Sequence, residues 1–178
     1  AGLEATAVGY GSDASGEYAS AIGAESVASG GLSAALGFQA SATGEWSTAV
    51  GALASASAQE ATAVGNASDA AGVAATALGT GAVASADNSV ALGANSVADR
   101  EDSVSVGSEG AERQITNVAD GTETTDAVNL GQLQEATAYN QYFRATGDGE
   151  AYAEGEDATA SGSNAIAEAD YSTAVGST

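Results

Sequence analysis

Glycine recurs every 14 residues, at Gly9, Gly23, Gly37, Gly51, Gly65, Gly79, Gly93 and Gly107, without a slip, and Gly162 and Gly176 resume the spacing after a gap. With 24 glycines in 178 residues, about one in seven, chance does not produce such regularity. A short fixed period is the signature of a solenoid, whose units cannot bury a face alone and must stack on their neighbours.

Columns taken relative to each glycine show what one coil is made of. The preceding residue is always aliphatic: Val8, Ile22, Leu36, Val50, Val64, Leu78, Leu92 and Val106. The residue before that is Ala7, Ala21, Ala35, Ala49, Ala63, Ala77, Ala91 and then Ser105, and the fourth before is always Ala or Ser. Large and small alternate with period two, which is the pattern of a strand. After the glycine a second small pair stands three and five residues on, as in Ser12 with Ala14, Ser26 with Ala28, Ala40 with Ala42 and Ser96 with Ala98. Two short strands per coil that turn Ala and Ser to the same side predict a flattened parallel coil with a bore too narrow for larger side chains. The glycine is placed at a sharp corner after the first strand, and the acidic residues Asp13, Glu17, Glu25, Glu45, Asp69 and Asp87 are expected at the turns.

The aliphatic column lies on the face opposite the bore. Eight stacked aliphatics at about 4.8 Å per strand make a stripe roughly 35 Å long, too long to face water. No long loop is present to cover it, so the expected cover is another copy of the chain.

Composition excludes several classes of function. The chain has three Arg, no Lys and 24 acidic residues, a formal net charge of −21, and so repels phosphate backbones and anionic lipid. No nucleic-acid partner and no direct membrane contact are expected. Cys, His, Met and Pro are absent, which removes disulfides and thiolate or imidazole metal sites. No metal, no cofactor and no catalytic residue are expected, and the chain is not read as an enzyme. The sequence shows no signal peptide or membrane helix and begins inside its own repeat, so any export signal or anchor is expected outside it.

After Gly107 the repeat gives way to "GSEGAERQITNVADGTETTDAVNLGQL". Asp120-Gly121 signals a turn, and Thr125 or Asp126 is expected to cap a helix that begins at Ala127. Leu130, Leu133 and Thr137, three and four apart, suit one or two turns of coiled coil. Arg113 is expected to pair with a carboxylate of this or another copy, the alternative being a solvated surface arginine. The acidic run "GDGEAYAEGED" (147–157) has carboxylates but no fixed ligand spacing, and reads as a solvated turn.

The phrases "YASAIG" (18–23), "WSTAVG" (46–51) and "NSVALG" (88–93) resemble the repeats of YadA-like heads in trimeric autotransporter adhesins, and "RQITNVADGTETTDAVNLGQL" (113–133) closely resembles the neck that follows such heads. The resemblance implies an all-β fold, a left-handed parallel β-roll with 14-residue coils assembled as a homotrimer, and a neck leading to a short coiled-coil helix. It divides the chain into a head (1–107), a neck (108–135), a short helical connector (136–147) and the start of a second head (148–178). It turns the stripe Val8, Ile22, Leu36, Val50, Val64, Leu78, Leu92 and Val106 to the trimer axis, and gives the neck Arg113, Ile115, Val118, Asp126, Val128, Leu130 and Leu133. Handedness and the number three come from the resemblance alone.

The function implied is that of a surface adhesin. It would attach bacteria to host extracellular matrix proteins such as collagen, fibronectin or laminin, to host cells, or to one another, from a fibre anchored in the outer membrane through a C-terminal region beyond these residues. A purely structural spacer in the same fibre is the alternative. One ligand patch is suggested by columns: Tyr18, Leu32 and Trp46 stand five before the glycine on consecutive coils, with Tyr10 and Phe38 just past the corners. The alternative, by strand parity, is that the same column widens the trimer interface. An ice-binding solenoid would need unbroken Thr ladders, but Ser20, Ala34 and Val90 interrupt the column of Thr6, Thr48, Thr62 and Thr76. A two-carboxylate glycosidase would need a cleft that a filled bore does not offer.

Overall fold

The computed structural model describes residues 1–138, 152–162 and 165–175, which form two compact units, Ala1–Gln114 and Ile115–Thr178. The first unit is a parallel β-solenoid. Among the described residues its first sheet has eight strands, from Thr6–Val8 to Val104–Ser105, and its second has seven, from Asp13–Ala14 to Val97–Ala98, so that Asp13 and Asp69, expected at turns, open strands of the second sheet. Every strand pairs in parallel with the strand one coil away, in a register of 14: Thr6 with Ser20, Ala7 with Ala21, Val8 with Ile22. A constant register means that each sequence column becomes a physical column.

Between the sheets lies a bore of methyl and hydroxyl groups. Ala21, Ala35, Ala49, Ala63, Ala77 and Ala91 line it from the first sheet, and Ala28, Ala42, Ala56, Ala70 and Ala84 from the second, all without solvent exposure. Most buried serines satisfy themselves locally, as where Ser33 donates to the carbonyl of Gly30 at 2.7 Å and Ser26 to that of Gly23 at 2.9 Å, whereas Ser47 Oγ has no partner. Each small side chain buries about one methyl group, worth roughly 0.8 kcal/mol. A single coil's share offsets only part of the entropy lost in fixing its backbone, so the coil stands only as part of a stack.

Two kinds of corner turn the chain. The first is the glycine after the longer strand, with φ of +138° at Gly23 and +140° at Gly37, a region L-residues rarely adopt. The second was not apparent in the columns. Positive-φ residues stand five before and two after each repeat glycine from Gly9 to Gly93, as at Tyr18 and Glu25, Leu32 and Gln39, Trp46 and Leu53, and Asn88 and Asn95. The corner therefore recurs every seven residues, and each coil is two half-turns of the same design.

The last coil ends differently. Val97 donates to the carbonyl of Gly107 at 2.8 Å, and Ser108 makes an isolated antiparallel bridge with Ala111. Arg113 donates to Ser96 Oγ (2.9 Å) and to the carbonyls of Val106 (2.6 Å) and Ala94 (2.5 Å). The partners seen for this guanidinium are thus neutral oxygens of its own chain, where a carboxylate was expected.

In the second unit the helix is Leu130–Ala138, three residues later than the expected start at Ala127. Its cap is Asn129, whose Oδ1 accepts from the Gln132 amide at 3.0 Å, while Gln132 Oε1 accepts from the Asn129 amide at 3.4 Å. This reciprocal pairing is a capping box. Asp126 instead closes the preceding turn, its carboxylate accepting from the amides of Thr122 and Glu123, both at 3.0 Å. The connector expected over 136–147 lies outside the described residues after Ala138, as do Arg144, residues 147–151 of the acidic run, and Gly176. Further on, Tyr152–Ala153 pairs with Ile166–Ala167, and Thr159–Ser161 with Thr173–Val175, again in a parallel register of 14.

Candidate functional site

The first sheet of the solenoid has an inner face that fills the bore and an outer face that carries the aliphatic stripe. The register stacks Val8 on Ile22, Ile22 on Leu36, Leu36 on Val50, Val50 on Val64, Val64 on Leu78 and Leu78 on Leu92. Val8, Ile22, Leu36, Leu78 and Leu92 are 38–56 % exposed, whereas Val50, Val64 and Val106 are half-buried. Beside them on the same face, three in-register threonines, Thr48, Thr62 and Thr76, lie between Ala34 and Val90.

The residues suggested as a ligand patch stand elsewhere. Tyr18, Leu32 and Trp46 are not in strands, which begin two residues later at Ser20, Ala34 and Thr48. They occupy the left-handed corner, with φ of 56°, 58° and 60°, and are 47, 56 and 47 % exposed. Strand parity therefore says nothing about which way they face. Their amides are tied to the coil below: Tyr18 donates to Leu3 at 2.8 Å, Leu32 to Glu17 at 2.7 Å and Trp46 to Gly31 at 2.8 Å. Tyr10, Phe38 and Leu53 are exposed at the other corner of the coil.

Of the neck residues, Ile115, Val128, Leu130 and Leu133 are exposed in one chain and Val118 is half-buried. Polar side chains hold the segment together. Asn129 Nδ2 donates to Asp120 Oδ1 (2.7 Å) and to the Val118 carbonyl (3.1 Å), and Gln132 pairs its amide with the backbone N–H and C=O of Gly121 at 2.9 and 3.0 Å. The amides of Thr122 and then Glu123 hold the Asp126 carboxyl below the ordinary aspartate range. Asn129 and Gln132 were missed in the sequence, although N-x-x-Q is a capping signature.

Among the described residues no group of three or more acidic, His or Cys side chains is placed to hold a metal ion, and no helix is long and apolar enough to cross a membrane.

The family model of the YadA head domain repeat matches residues 1–26, 28–54, 42–68, 56–82, 70–96, 84–109 and 153–178. The chain belongs to the trimeric autotransporter adhesins. A second model, the coiled stalk of these adhesins, matches residues 114–155, so head repeats lie on both sides of the stalk match. Among solved structures, the collagen-binding domain of the Yersinia adhesin YadA is similar, with a TM-score of 0.70 and 39 % identity over 75 % of each chain. No curated protein matches the chain. This is a YadA-type adhesin head with the parallel solenoid fold of that domain, in a non-enzymatic family of surface-exposed, outer-membrane-anchored proteins.

Proposed function

We propose that three parallel copies of this chain pack with their aliphatic stripes turned to a common axis, and that the resulting rod is an attachment surface on the bacterial exterior. The observation that carries this reading is the in-register row from Val8 to Leu92, exposed or half-buried along its whole length in one chain. Burying such a row is favourable at about 25 cal/mol per Å², and a cyclic arrangement of identical copies buries it three times over. The neck residues Ile115, Val128, Leu130 and Leu133 join the same assembly, with the divisions 1–107, 108–135, 136–147 and 148–178 as head, neck, connector and second head.

A stiff trimer repeats every surface feature three times around and several times along its length. Weak contacts to an extended or densely presented ligand then add up through effective concentration. Host extracellular matrix proteins are ligands of this kind, and the similar Yersinia domain binds collagen. The test is retention of the chain on immobilised collagen, fibronectin and laminin and on a layer of itself, beside the Val64→Asp/Leu78→Asp variant. Adhesion to at least one surface, lost in the variant, is expected. An assembled chain that adheres to none of the four would instead be a spacer in the fibre, anchored through a region beyond these residues.

A further inference from the structure

The corner occupied by Tyr18, Leu32 and Trp46 is a poor place for those residues. A left-handed backbone suits Gly, Asn and Asp; the same corner in later coils holds Glu60, Ala74, Asn88 and Asp102, and in the second unit Asp157 and then Tyr171. Packing does not account for the choice either, because all three side chains are about half exposed and none belongs to the buried core. Large apolar groups held at a strained backbone position, in water, on three consecutive coils point to a ligand. Stacked at about 4.8 Å per coil, they form a row roughly 10 Å long.

The surroundings of the row define the chemistry of that ligand. Glu17 precedes Tyr18 and Glu45 precedes Trp46 on the same edge, and Glu60 takes the corner of the next coil with φ of 59°. Residues 1–60 contain no Lys or Arg at all. The carboxylates therefore have no basic side chain within these coils, and they flank the apolar row.

We propose that this edge docks a cationic, amphipathic polypeptide segment, whose apolar side chains lie across Tyr18, Leu32 and Trp46 while its Lys or Arg groups meet Glu17, Glu45 and Glu60. This deepens the adhesin reading and rests on it for the edge being outside the trimer contact.

Trp46 is the sole tryptophan, so its emission reports directly on the row. The experiment titrates the complete chain, its mass in solution measured first, with a synthetic alternating Lys/Leu peptide. A peptide of roughly ten residues, at about 3.4 Å each, overruns the row. A saturable blue shift of Trp46 emission is expected. The Tyr18→Asn/Leu32→Asn variant, which puts a residue suited to the left-handed backbone at both positions, is expected to keep its mass and thermal stability and to bind at least about tenfold more weakly. A Lys/Ser peptide should bind more weakly than Lys/Leu, and a Glu/Leu peptide not at all. Equal binding by the double variant, or by the Lys/Ser peptide, would overturn the proposal. So would loss of assembled mass in the double variant, since the edge would then be covered by a second copy. A wild-type chain that is monomeric yet binds the peptide as described would count against the trimer and leave the docking edge standing.

Discussion

Gly37 sits so close to Gly51 on the next coil that a Cβ added to Gly37 would lie 2.5 Å from the Gly51 carbonyl oxygen. The 14-residue spacing is this contact repeated: a corner that must take φ near +140° and leave room for the corner of its neighbour. Gly37→Ala should therefore cost at least about 3 kcal/mol in urea unfolding, because strain and overlap with backbone act together. Gly11 is a contrasting position. With φ of +65° and only Glu25 Cγ nearby, at 3.6 Å, Gly11→Asn should stay within about 0.5 kcal/mol of the parent.

The bore tolerates hydroxyls unequally. Ser33 Oγ donates to Gly30, whereas Ser47 Oγ is buried without a partner. Removing the orphaned oxygen relieves a desolvation penalty, so Ser47→Ala should be neutral or stabilising by up to about 1 kcal/mol, while Ser33→Ala should lose about 1 kcal/mol. Parallel urea melts of the two variants read the difference in sign.

Arg113 holds the end of the last coil by three hydrogen bonds to oxygens of residues 94, 96 and 106. Arg113→Ala should loosen that coil without unfolding the others. Amide exchange is expected to accelerate at least about tenfold around Ser96 and Val97, and to stay unchanged near Ala49. Uniform acceleration throughout the head would show that the arginine serves the whole fold.

The Asp126 turn should open in acid. The carboxyl's folded pKa lies below its unfolded value, because the Thr122 and Glu123 amides bond to the ionised form. Its contribution is therefore complete above the ordinary aspartate pKa of about 3.9 and is lost as pH falls through the lower folded value. Carboxyl NMR should show this depressed titration, accompanied by shifts of the Thr122 and Glu123 amide protons. A titration at the ordinary value would remove the turn from the account.

What could be read from the sequence was whatever repeats at side-chain level. The Ala and Ser columns gave the bore, and the aliphatic at Val8, Ile22 and their successors gave the outer stripe, because period two and period 14 survive into the structure unchanged. Period-two reasoning fails where the chain leaves the strand. Tyr18, Leu32 and Trp46 share the parity of the stripe in the sequence although they sit in a corner, and the sequence signal for that corner is Asn88, Asn95 and Asp102 at intervals of seven. The acceptors of Arg113 are largely backbone carbonyls, which no residue pattern displays. The helix starts at Leu130 and not at Ala127 because Asn129 has Gln132 three residues on to complete a capping box, where Asp126 has Asn129.

The stripe as a contact between copies is the central claim, and solution mass tests it most directly. Sedimentation across a concentration series should give a stable species of about 51 kDa, three times the 16.9 kDa of one chain. The Val64→Asp/Leu78→Asp variant should fall to the mass of one chain, because a carboxylate buried at that contact has no partner. A folded wild-type chain that stays at 16.9 kDa at every concentration would contradict the account.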